Sequence, residues 1–399
     1  MQRPLLALLH GPLLSGFLLC CMAAAQATLT VDATGTGGAF TTVQAAITAA
    51  SPGDRILVLG IGPYPSFVVD RGIDIQGAGG TRVPGLEVTA IPAGQSARVA
   101  GFALDLPSNG SIFVHHCPGN VLLQNLTIAS TIQPLAVPTN PGLHVLAADS
   151  VFTRDCFFRG RIGPTGSAAV LLDAGRLTIT GGSAIGGTTI NQAPVPNAGL
   201  PGIVVQNGGQ LHMVSADAIG GLWNSLPPNT CHGGDGVLVI QGAVYAIDDC
   251  GLRGLPGFGP TTSGAAVRGL VRYTSDCLVT GAILGGIQVE ARPRLLANPT
   301  CPIGSTLTLT IDGDPLQLLL VGVDLQSLYL ELPLLDGVLV LTPTAALSGA
   351  ILLNQNGAGS LSLPLPNVPA AANQNLYFQG VALGTTGHLL TGATVVRTQ

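Results

Sequence analysis

The chain contains no lysine; all fifteen of its basic residues are arginine. Charged residues occupy 9% of its 399 positions, against about a quarter in an average domain. The net charge of −5 carries no basic cluster, which argues against nucleic acid, because phosphate binding needs a concentrated positive face. Low charge does not make the chain disordered, since hydrophobic residues reach 47% and can build a large core. No CxxC occurs, so neither a zinc ribbon nor a thioredoxin-like motif is supported. Tryptophan appears once, at Trp223. Glycine, by contrast, appears 56 times, often beside β-branched residues, as in strands joined by tight turns. The length suits two or three domains.

The first 27 residues read as a signal peptide. Arg3 supplies the positive end, residues 5–22 are mostly apolar, and Ala23-Ala24-Ala25-Gln26-Ala27 offers cleavage after Ala25 or Ala27. His10, Gly11, Pro12 and Ser15 interrupt the apolar run, against a retained anchor. Cys20 and Cys21 lack the preceding small residue of a lipoprotein signal. No later run is long enough to span a bilayer, so the expectation is a secreted or cell-surface protein with no membrane span after cleavage. Export permits disulfides among Cys117, Cys156, Cys231, Cys250, Cys277 and Cys301, but sequence does not choose among the pairings.

Residues 143–286 repeat one pattern five times: a short apolar strand, a gap, a second alternating strand, and a turn closed mostly by glycine. The second strands begin at Val151, Leu177, Leu211, Val244 and Val271, at steps of 26, 34, 33 and 27 residues. Periods of this size signal a solenoid in which alternate apolar side chains stack on their equivalents one turn away. Less regular copies, such as residues 97–102 and 121–128, precede them.

One helix is predicted, from Val43, Ala46, Ile47 and Ala50 at i, i+3, i+4 and i+7, with Thr41 or Thr42 as N-cap and Ser51-Pro52-Gly53-Asp54 as its stop. A short amphipathic helix across the end of a strand stack covers its open backbone and apolar interior. The run from Gly38-Ala39-Phe40 through Gln44-Ala45-Ala46-Ile47 and Pro52-Gly53-Asp54 to Ile56-Leu57-Val58 and Tyr64 resembles the N-terminal cap of right-handed parallel β-helix proteins of the pectin lyase-like superfamily. That resemblance implies an all-β chain with a right-handed parallel β-helix over 28–292.

From Cys301 onward about seven strand-like segments follow at spacing that suits a small antiparallel β-sandwich, taken as residues 293–399. It resembles C-terminal modules of exported bacterial proteins. Within it, Asn375-Leu376-Tyr377-Phe378-Gln379-Gly380 resembles the site of a viral protease used to remove expression tags, with Gln374 where that site prefers glutamate. Its strand patterning marks it as native sequence that, if buried, resists that protease.

The insertions that vary the repeat all follow the turn glycine, so they emerge on one face, the default binding surface. The richest, 220–236, carries Trp223, Asn224, His232 and Asp235, a candidate glycan-binding set because aromatic rings pack on the apolar faces of sugars. The bland alternative is that Trp223 pins the loop and Asp235 sets a turn. Asp248 and Asp249, with Arg253, are the candidate catalytic residues: paired aspartates act as acid and base in polygalacturonases, which the superfamily resemblance brings to mind. The pattern departs from that family, since no Asn-x-Asp lies upstream and the lysine motif is missing. Pectate lyases combine calcium-binding carboxylates with a basic residue, and Asp155, Asp217, Asp249 and Asp276 recur at nearby repeat positions. Repeat-consensus aspartates also form turns, so no cofactor is expected and Ca2+ is the one ion held open. His115-His116 reads as a surface pair, and Cys250 and Cys277 sit one repeat apart, within disulfide reach if their strands are neighbours.

The sequence therefore predicts an exported, non-catalytic β-helix protein that binds polysaccharide or another cell-envelope glycan. The rival reading, from the resemblance alone, is a polysaccharide lyase or glycoside hydrolase.

Overall fold

The computed structural model describes residues 26–399 except 37–39, 105–110, 129–139, 164–165, 190–198, 223–231, 257–262, 290–292, 326, 332–334, 337, 342–344 and 384–387. The expected signal segment lies outside the described residues apart from Gln26 and Ala27. The chain is all-β: parallel strands dominate its first part, a mostly antiparallel set its last, and α-helix is confined, among the described residues, to Val43–Ala49. Thr42 caps that helix, its side chain accepting from the Ala45 amide at 3.2 Å. Val43, Ala46 and Ile47 are buried against the first strands, on the face that the 3.6-residue period predicts.

Twenty-two strands join in one sheet, and the chain visits three ladders in turn. The first ladder runs through Leu86–Thr89, Ile112–His115, Ile203–Gln206 and Val237–Val239. The second includes Arg55–Leu59, Asn120–Gln124, Gly209–Val214 and Gly242–Ile247. The third includes Phe157–Arg159, Ser183–Ile185, Asp217–Ile219 and Gly251–Arg253. Long strands such as Leu143–Arg154 and Val170–Thr180 contribute their first residues to the first ladder and their last to the second. Pairing within each ladder is parallel. In the second ladder Val151 pairs Leu177, Leu177 pairs Leu211, Leu211 pairs Val244 and Val244 pairs Val271. This is the register that the repeat predicts, and all five side chains are buried in one continuous apolar column.

Turning the corners takes residues in the left-handed region. Between the second and third ladders this position is held by Asn125, Asp155, Gly181, Ser215 and Asp248, with φ of 50°, 51°, 65°, 49° and 57°. Short polar side chains and glycine tolerate this conformation best. The recurring aspartates of the repeat thus include turn residues. The cysteines that follow them face inward: Cys156 and Cys250 are buried, and burial pushes the Cys156 thiol up to about 12.

In the last hundred residues, Arg294–Ala297, Thr306–Asp312 and Ala358–Pro364 form a three-stranded antiparallel sheet. Leu318–Asp324, Ala346–Leu352, Asn375–Leu383 and Thr394–Thr398 form most of a second. Leu307, Leu309 and Ile311 of the first sheet share an apolar layer with Leu319, Val321, Phe378 and Val396 of the second. The stretch Asn375–Gly380 lies inside a strand with Asn375, Tyr377, Phe378 and Gln379 buried, as its patterning predicts.

This C-terminal unit lies on the outer face of the second ladder. Leu122, Phe152, Val214, Tyr245 and Ile247 point away from the coil, yet are buried against Val340, Leu341, Tyr377, Ala393 and Val395. The Phe152 and Tyr377 rings sit 4.9 Å apart. Beside this apolar seam is an ionic one. Asp74 is buried between Arg98 at 2.8 Å and Arg397 at 2.9 Å, with Arg55 at 3.6 Å. Gln124 accepts from Arg98 at 2.8 Å, and Asn375 accepts from Arg397 at 3.2 Å. Burial works to raise the Asp74 carboxyl, but Arg397, Arg98 and Arg55 outweigh it and hold it below its ordinary 3.8.

Candidate functional site

The loops that vary the repeat leave and return at the corner between the third ladder and the first. This corner is built from backbone. Gly187 N–H donates to Ser167, Leu200 to Gly187, Gly221 to Leu200, Gly234 to Gly221, Leu255 to Gly234 and Gly264 to Leu255, all at 2.7–3.2 Å. Outgoing and returning arms of successive coils therefore interleave in one stack. A Cβ on Gly220 would lie 1.8 Å from the Gly234 oxygen, and one on Gly233 would lie 1.7 Å from the Leu255 oxygen. Only glycine fits such a spacing, which explains the Gly-Gly pairs at 186–187, 220–221 and 233–234.

Trp223 and Asn224 lie outside the described residues. His232 is exposed, and its carbonyl accepts from the Gly199 amide at 2.7 Å. Asp235 is engaged on both oxygens: Oδ1 accepts from the Ala265 amide at 2.6 Å, and Oδ2 faces Arg268 Nε at 2.7 Å. That partner lifts the Arg268 guanidinium above its usual range. Asp235 thus organises the base of the loop through partners within the chain.

Asp248 and Asp249 occupy a different corner, between the second and third ladders. The strand before them ends at Ile247, and both adopt left-handed backbone, with φ of 57° and 59°. Asp248 is buried and faces the C-terminal unit; a Cβ on Gly392 would lie 2.7 Å from its Oδ2. Asp249 meets Arg294 at 2.5 Å, and Arg294 also reaches Asp276 at 3.3 Å. Burial disfavours the Arg294 cation, but Asp249 and Asp276 outweigh it and raise its pKa. Arg253 stands on the third ladder, paired with Ile219 and Thr280. A Cβ on Gly251 would lie 1.9 Å from Asp217 Oδ1 and 3.5 Å from Arg253 Nε, which sets Asp217 beside this arginine.

The structure therefore separates the two candidate sets. His232 and Asp235 belong to the loop corner, whereas Asp248 and Asp249 belong to the seam with the C-terminal unit. Among the described residues, no group of three or more His, Cys, Asp or Glu side chains gathers closely enough to hold a metal ion. Asp155, one of the four recurring aspartates considered as calcium ligands, sits at a turn position.

Sequence reading took His115-His116 as a surface pair and missed the Glu87, Phe113 and His144 side chains that gather with it on the outer face of the first ladder. His115 Nε2 lies 2.8 Å from Glu87 Oε1, and its Nδ1 lies 3.0 Å from Nδ1 of His116. Phe113 stacks on His115 with ring centroids 4.2 Å apart, and His144, paired with Phe113 from the adjoining strand, lies 5.0 Å from the same ring. Burial lowers the His144 pKa, against the pull of Asp173. Glu87, Phe113 and His144 pair in register across three coils, so this column is visible only once the repeat is aligned through residues 86–146.

No family model matches the chain, and no curated protein matches it. Among solved structures, a superoxide reductase (neelaredoxin) from Ignicoccus hospitalis is similar at 8% identity, with a TM-score of 0.19, over 27% of this chain and 80% of that one. A likeness this slight carries no argument about fold or chemistry.

Proposed function

We propose that this chain is an exported right-handed parallel β-helix protein of the pectin lyase-like kind. In this reading the coil spans 28–292, a β-sandwich spans 293–399, and the protein binds polysaccharide or another cell-envelope glycan without cleaving it. The observation that carries the proposal is the common base of the loops: arms of at least four coils leave one corner, held in fixed order by backbone hydrogen bonds. Binding surfaces in repeat proteins form where insertions gather on one edge. His232 and Asp235 stand at the base of the loop 220–236, whose sequence also holds Trp223 and Asn224.

The same geometry supports the non-catalytic reading. Asp249 and Asp276 do converge, but on Arg294, and Asp248 is packed in the seam. An acid–base pair needs carboxylates facing a space where a glycosidic bond can lie. The lyase or hydrolase alternative draws on that same Asp249–Asp276 pair, with Arg253 on the adjoining ladder. A glycan array run beside a polysaccharide-degradation screen, with and without calcium, separates the readings. Retention without release of unsaturated or reducing sugars is the expected result; sugar release that is lost in Asp249→Asn establishes the enzyme instead.

A further inference from the structure

The two ends of the coil are finished differently. At the first end the helix Val43–Ala49 lies over the interior, and the outer edge of Thr28–Asp32 is already used: the Asp32 amide donates to Phe40 at 2.8 Å and the Phe40 amide donates to Thr30 at 3.1 Å. At the last end, Ala282–Val289 pairs with Ala265–Thr274 alone, and Leu278–Thr280 pairs with Gly251–Arg253 alone, among the described residues. The interior column Ile203, Val237, Val267 and Ile283 is in register through all four positions. Its first three members are 0% exposed, whereas Ile283 is 41% exposed. Leu278, Leu284 and Ile287 around it are 56%, 46% and 49% exposed. The coil stops with a core residue and a row of backbone groups facing outward.

We infer that this open end is an interface for a second copy of the chain, joined tail to tail about a two-fold axis by antiparallel pairing of Ala282–Val289 with itself. An edge strand needs a partner that supplies a strand, and an antiparallel pair related by a two-fold axis is self-complementary. Ala282–Val289 reads Ala-Ile-Leu-Gly-Gly-Ile-Gln-Val, with no charge to repel its copy and no proline to interrupt the edge. The usual guards of an exposed edge, lysine above all, are missing from it. The capped first end cannot accept the open end of another copy, so association closes at two rather than growing into a fibre. The pairing lays the open end of one copy over that of the other and restores cover to Ile283, the last member of the interior column.

The test is the mass of the full mature chain by sedimentation, from about 1 to 100 μM, with hydrogen exchange on Ala282–Val289 over the same range. The expected result is a dimer whose Ala282–Val289 amides exchange at least tenfold more slowly than in the dilute monomer. Leu284→Arg, on a side chain already in solvent, and Ile283→Arg are each expected to give a monomer with unchanged circular dichroism, whereas Gln44→Arg on the capped end leaves the dimer intact. A wild-type chain that stays monomeric with fast-exchanging amides, or a dimer that persists in Leu284→Arg with the same exchange, overturns the inference.

Discussion

The outer faces of the first and second ladders carry similar side chains and meet different fates. On the second, Leu122, Phe152, Tyr245 and Ile247 are sealed under the C-terminal unit. On the first, Phe113, Leu171, Val204 and Leu238 stand in one register column and remain half-buried, sheltered mainly by their neighbours up and down the coil. Both are apolar strips on an outward face, so hydrophobicity alone does not say which one is covered. The difference lies in the charges beside them. The covered face includes Asp74 and Arg154, whose partners Arg397, Val395 and Ala297 belong to the C-terminal unit. The open face includes Glu87 and His115, which answer each other on their own ladder. A buried ion pair contributes little net stability but penalises every alternative docking that leaves it unpaired, so it acts as an address for the covering unit.

Breaking that address gives the largest expected effect. Asp74→Ala leaves the Arg98 and Arg397 cations buried without the carboxylate they share and should cost about 3–5 kcal/mol, read as a lower midpoint in urea. Tyr377→Ala empties the apolar half of the seam and should cost about 3 kcal/mol in the same measurement. Acid reaches the same place more gently. The folded-state pKa of Asp74 is depressed, so its contribution is present above 3.8 and is lost as pH falls through the lower folded value. A melting-temperature series from pH 5 to pH 2 should therefore fall more steeply for the parent than for Asp74→Asn. The buried strand on the covering side offers a kinetic version: the viral protease whose site Asn375–Gly380 resembles should leave the native chain intact over hours and cut it once urea has opened the seam. On the open face, Leu171→Ser should change stability by no more than about 1 kcal/mol; a loss as large as that of Tyr377→Ala would show that the first ladder is covered too.

The repeat itself was legible because inward residues obey a local rule. Val151, Leu177, Leu211, Val244 and Val271 must match in size and spacing to stack, and that constraint is written at each position. The helix was legible for the same reason, with its cap, period and stop all within residues 42–54. The seam was not. Asp74 and Arg397 stand 323 positions apart, and nothing near either residue names the other. Phe152 and Tyr245 read as ordinary outward positions until Tyr377 and Val395 are seen above them. The candidate site divides along the same line. The clustering of loops at one corner followed from where the insertions fall in the repeat, whereas the Asp249–Arg294–Asp276 bridge depends on a strand outside the repeat and escaped notice. Glycine was visible as the usual closer of each turn, but not the interleaving that forbids any side chain at 186–187, 220–221 and 233–234.

That interleaving separates the fate of a loop from the fate of its anchor. Because the arms are secured chiefly by main-chain hydrogen bonds, with Asp235 adding a side-chain tie at one loop base, the corner does not depend on the residues of the loop tips to stay closed. Loop tips can be lengthened, shortened or exchanged between coils while the anchor stays unchanged, since loop closure entropy grows only slowly with length. The corner then works as a row of sockets, and new recognition surfaces can be fitted to it one coil at a time without renegotiating the core.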